Sequence, residues 1–104
     1  MSVEVSDNPE LDRYEARVDG NLAGFAQYRL HGRRMTIFHA EVGPAFEGRG
    51  VGSRLAKAAL DDVRARELEL EPRCPFIAAY VRRHPDLYLE LVAEPLREAV
   101  MADG

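Results

Sequence analysis

The feature that most constrains this chain is a change of hydrophobic period across the segment from Gly43 to Ser53. Ahead of it, apolar residues alternate with polar ones, the pattern of strands with one buried face. Behind it they recur at helical spacing. A chain built this way has to lay helix against sheet.

In the first half, Tyr14, Ala16 and Val18 alternate with Arg13, Glu15 and Arg17, which predicts a half-buried strand. Asp19-Gly20-Asn21 is a hairpin signal, because glycine tolerates positive φ. Leu22 to Leu30 is the return strand, with Ala26, Tyr28 and Leu30 on one face, and His31-Gly32-Arg33 is a second turn. Arg34 to Val42 is a third strand. Strict alternation puts Met35, Ile37, His39 and Glu41 on one face and Thr36, Phe38, Ala40 and Val42 on the other. Gly43-Pro44 breaks the pairing.

A helix follows from about Val51 to Arg66, with Val51, Leu55, Ala58, Ala59 and Val63 turned inward. Leu68, Leu70 and Pro72 alternate with Glu69, Glu71 and Arg73 as a short fourth strand. Cys74-Pro75 opens a second helix, since proline is favoured at the first helical position. Phe76, Ala79 and Tyr80 are spaced as its buried stripe, and His84-Pro85 ends it. Asp86 to Gly104 predicts one or two short helices. The order β-β-β-α-β-α is that of an α+β domain, helices packed on a mainly antiparallel sheet, with residues 1–104 as one domain.

The 104 residues suffice for one core. A net charge of -4 argues against a nucleic-acid partner, which would call for a basic stripe. The sequence carries neither a membrane-spanning apolar run nor a secretory pattern at its start, so the expected compartment is the cytoplasm. Cys74 is the single cysteine, and no metal site is expected.

Gly48, Gly50 and Gly52 stand between strand and helix. Glycine lets the backbone approach a ligand, and the first amides of a helix lack internal partners. Together they suit a diphosphate. A P-loop would need a lysine before Ser53, and a dinucleotide fingerprint would need a third glycine where Ser53 stands, within a βαβ unit. A turn that merely uses glycine is the plain alternative.

A meander, a broken strand and Gly48-Arg49-Gly50-Val51-Gly52 opening a helix resemble the GNAT superfamily of N-acetyltransferases. Its signature is Q/R-x-x-G-x-G/A; here Glu47 stands at the Gln/Arg position. Further stretches resemble a minimal branch of that superfamily: His39-Ala40-Glu41-Val42, Leu60 to Arg66, Cys74-Pro75-Phe76 and Tyr80-Val81-Arg82-Arg83-His84-Pro85. The resemblance covers about residues 11 to 93.

It implies acetyl-CoA or coenzyme A as cofactor and central strands that splay to admit the pantetheine arm. Backbone near Val42 would pair with that arm, and Gly48, Arg49, Gly50, Val51, Gly52 and Ser53 would take the diphosphate. Glu47 implies reduced affinity rather than a lost site, because the family relies there mainly on backbone amides. Larger relatives carry a helical insertion between the first two strands that helps to wall the acceptor. Asp19-Gly20-Asn21 is a tight turn instead, which implies an open acceptor side.

Acetyl transfer to an amine, whether a small molecule or a protein lysine or N-terminus, needs a group to take the amine proton. His39 and Glu41, two apart on one strand, are candidates. Cys74, at a helix start beside Arg73, is a candidate for lowered thiol pKa and a covalent relay. Tyr80 sits one position before the place where larger relatives carry a tyrosine, so a packing role is expected. The sequence thus points to an acyl-CoA-dependent N-acetyltransferase. A coenzyme A-binding module without catalysis and a thiol sensor at Cys74 are the rival readings, and the oligomeric state is open.

Overall fold

The computed structural model describes residues 2–102. Its five-stranded sheet runs in chain order, β1 (Val3–Asn8), β2 (Arg13–Val18), β3 (Asn21–His31), β4 (Arg34–Val42) and β5 (Glu69–Pro72). The first four are antiparallel neighbours, and β5 joins β4 in parallel. Helix α1 (Val51–Ala65) makes the crossover between β4 and β5. Then come α2 (Pro75–Arg83), α3 (Pro85–Tyr88) and α4 (Arg97–Ala102). The α+β class, the mainly antiparallel sheet and the bounds of the strand Arg34–Val42 are as the sequence predicts.

The sheet starts one strand earlier than the sequence reading has it. In β1, Val3 and Val5 lie opposite Val18 and Ala16. The first two strands are therefore joined by residues 9–12, where Leu11 and Asp12 donate to the carbonyls of Asn8 and Pro9. That connection, rather than Asp19–Asn21, is the short link between the first two strands. The β2–β3 link is tight as well, with Asp19 at φ 51° and Gly20 at φ 83°, both left-handed as a two-residue hairpin turn requires.

Helix α1 packs on the inner face of the sheet. Val51, Leu55, Ala56, Ala59, Leu60 and Val63 are buried against Tyr14, Tyr28, Met35 and Ile37. The buried set includes Ala56 and Leu60, whereas the predicted Ala58 is only half-buried. Tyr14 donates to Asp62 Oδ2 at 2.6 Å and Tyr28 to Asp7 Oδ1 at 2.6 Å, so each buried phenol reaches a carboxylate. Burial foremost, then those hydrogen bonds, pushes both phenols above the ordinary tyrosine range. On α2 the buried stripe is Ile77, Tyr80 and Val81. Phe76, predicted as part of it, is 37% exposed and lies instead against Gly52 at the start of α1.

Candidate functional site

Two irregularities in β4 build the site. The first is a bulge. Gln27 pairs with His39 and Tyr28 with Ile37, so Phe38 is an extra residue in β4. A one-residue insertion reverses the alternation beyond it. Residues directly opposite each other in an antiparallel pair share a face. Ala40 therefore shares the inner face with Ala26, while His39 and Glu41 lie with Gln27 and Phe25 on the outer face. Met35 and Ile37 thus lie on the opposite face from His39 and Glu41, contrary to strict alternation.

The second irregularity is a parting of strands. The β4–β5 ladder ends at Ile37 opposite Pro72. There the Ile37 carbonyl accepts from Arg73 N at 3.0 Å and Cys74 N at 2.9 Å. The chain then turns into α2, with Cys74 as the N-cap and Pro75 opening the helix. Meanwhile β4 runs on to Val42, bonded on its other side to β3 alone. The edge from Phe38 to Val42 therefore has no strand paired to it on the β5 side.

The glycine loop lies at the far end of that edge. Gly48 (φ 79°) and Gly50 (φ 76°) are both left-handed, and a β-carbon at either would meet nothing within 4 Å. The space beside both is open, so a ligand could approach the backbone there closely. Gly50 is the N-cap of α1 and has no side-chain cap. The first helical bond runs from Arg54 N to Gly50 O at 3.1 Å, so the amides of Val51, Gly52 and Ser53 precede it with no carbonyl inside the helix. The helix dipole adds partial positive charge there. Gly52 has a different reason to be glycine, since its β-carbon would fall 2.9 Å from Phe76 Cζ. Arg49 and Glu47 are both exposed on this loop.

On the outer face, His39 Nε2 lies 3.2 Å from Glu41 Oε1. Sequence reasoning pairs these two, and the structure brings them together. It misses what supports them. The His39 ring is 6.0 Å from that of Phe25, and the Arg13 guanidinium lies 4.7 Å over Phe25. Arg13 in turn donates to Glu15 at 2.8 Å, which also receives Arg17 and Asn8 at 3.2 Å each. Glu15 is 5% exposed, and Arg13 foremost holds its carboxyl below the usual range against the opposing effect of burial. Only the period-two register of β2 and β3 hinted at this, by placing Arg13, Glu15 and Phe25 on one face.

Cys74 stands where β5 gives way to α2 but is 3% exposed, packed in the core. Tyr80 is buried, with its ring 4.5 Å from His84 and 5.8 Å from Tyr88. Among the described residues, no group of His, Cys, Asp and Glu could hold a metal, and no helix is long and apolar enough to cross a membrane.

Comparison with known proteins identifies the family. The sequence profile described as GCN5-related N-acetyl-transferase matches residues 13–91. The chain belongs to that family. Protein NATD1 of Xenopus tropicalis is 33% identical over 92 residues, covering 86% of this chain and 84% of that protein. NATD1 of Gallus gallus is 42% identical over 65 residues, 61% of this chain, and the match spans 59% of the relative. The solution structure of a GCN5-like protein from Staphylococcus aureus shares the fold over 82% of this chain and 86% of its own, with a TM-score of 0.61 at 22% identity.

Proposed function

We propose that this chain is an N-acetyltransferase that uses acetyl-CoA and acts on an amine. The observation that carries the reading is the adjacency of two features: an edge of β4 left open from Phe38 to Val42, and a glycine cradle with positive φ at Gly48 and Gly50. A diphosphate fits the cradle because the space beside both glycines is open and the amides of Val51, Gly52 and Ser53 face it. Exposed Arg49 lies on the same loop. Backbone groups near Val42 hold the extended arm that joins diphosphate to thiol. Acetyl-CoA, when bound, supplies the acetyl group already activated as a thioester.

The residues of this chain do the rest. The His39–Glu41 pair takes the proton of the amine, which frees its lone pair. A backbone amide near the bulge polarises the acyl oxygen. Cys74 is buried where β5 gives way to α2, and its burial favours direct transfer to the amine over a relay through its thiol. Release of free thiol from acetyl-CoA in the presence of an amine panel tests this reading. It separates an enzyme from a module that only binds coenzyme A.

A further inference from the structure

Beside the His39–Glu41 pair lies a cavity of about 380 Å³ at the open ends of β3 and β4. Its apolar walls come from Leu22, Phe25, Val42 and Pro44, with Gly24 on its lining. Leu22 is 40% exposed, a large apolar side chain left in water at the rim. Glu41 is the single charged residue of the lining. The volume is that of a small-ligand site, and the wall chemistry is specific. A single carboxylate in a partly apolar, open pocket attracts a cation with an apolar body and repels any ligand that carries its own carboxylate.

The position of the carboxylate gives the cation a further use. His39 engages one oxygen of Glu41, so an ammonium held by that carboxylate lies beside the imidazole. The outer face that carries both is open to solvent, the side chains of His39 and Glu41 being 46% and 59% exposed.

We propose that this cavity is the acceptor site and that it takes a small primary amine with an uncharged, apolar body. For the fate of the amine this rests on the acetyltransferase reading; for its binding it does not. Isotope-labelled protein, saturated with coenzyme A, is titrated with phenethylamine, and amide shifts are followed by NMR. Saturable shifts should centre on Leu22, Gly24, Phe25, Glu41 and Val42, and glutamate should cause none. Glu41→Gln should weaken the amine by roughly tenfold or more, as expected for loss of a charge-assisted bond. Leu22→Lys, an exposed position that spares the core, should weaken it as well. Saturable binding elsewhere, no saturable binding, or equal binding of glutamate would overturn the assignment. If the amine saturates this cavity but is never acetylated, the site stands and the enzyme reading fails. If acetylation proceeds while the shifts map elsewhere, the enzyme reading stands and the site fails.

Discussion

Phe76 lies against Gly52 so closely that a β-carbon at position 52 would fall 2.9 Å from its Cζ. The contact ties the start of α2 to the start of α1, and so joins the Cys-Pro-Phe segment to the glycine loop. Because the meeting atom is the tip of a ring that is 37% exposed, the ring can swing aside. Gly52→Ala should therefore cost only about 1 kcal/mol, at the low end of overpacking penalties. Thermal unfolding of Gly52→Ala, Phe76→Ala and the double variant checks this. The two changes should be non-additive, since Phe76→Ala removes the obstacle; simple additivity would show that the contact carries no energy.

Gly50 and Gly32 make a matched pair. Both are left-handed, at φ 76° and 62°, and both face open space. Valine at either should cost about 1–2 kcal/mol of stability through backbone strain. Only Gly50→Val should also weaken coenzyme A, because only that side chain intrudes on the diphosphate. Calorimetric titration of the two variants reads the difference. Equal affinity in both would reduce the glycine loop to a turn.

Glu47 places a carboxylate on the loop proposed to hold a diphosphate. Glu47→Gln should tighten coenzyme A binding, more at low than at high ionic strength, since salt screens an exposed charge. Titrations at two salt concentrations decide it. Weaker binding in the variant would show that Glu47 points away from the ligand.

Part of this site was legible in the sequence and part was disguised. The hairpins, the helix start and the pairing of His39 with Glu41 follow from turn chemistry and spacing. Which face the pair occupies does not follow from strict alternation, because the bulge at Phe38 shifts the phase. The signal was present: apolar residues fall on odd positions at Met35 and Ile37 and on even positions at Ala40 and Val42. Strand β1 was hidden by its charge, although Val3 and Val5 alternate with Glu4 and Ser6. The parting of β4 from β5 rests on long-range pairing, which no local pattern reports.

Glu15 should mark the acid limit of the fold. Its carboxyl is held below the usual range mainly by Arg13, so the ionised form is favoured in the folded state. That stabilisation is complete above the unfolded carboxylate range, near pH 4.3, and is lost as pH falls through the lower folded value. Glu15→Gln should lose about 1–3 kcal/mol at neutral pH, as it breaks a buried charge-assisted network, and should flatten stability across the acid limb. Denaturant unfolding at stepped pH measures both. An unchanged acid limb would mean that Glu15 does not govern it.

On the proposed function, the open edge of β4, the glycine loop and the His39–Glu41 pair together transfer an acetyl group to an amine. The most direct measurement is free thiol released from acetyl-CoA, followed with and without phenethylamine, alongside the intact mass of the protein. Thiol release should require the amine and fall strongly in Glu41→Gln, and the protein mass should stay unchanged when no amine is present. Coenzyme A binding without thiol release from any amine tried would contradict it and leave a binding module. Gain of one acetyl by the protein alone, lost in Cys74→Ala, would contradict direct transfer and put the thiol of Cys74 on the path.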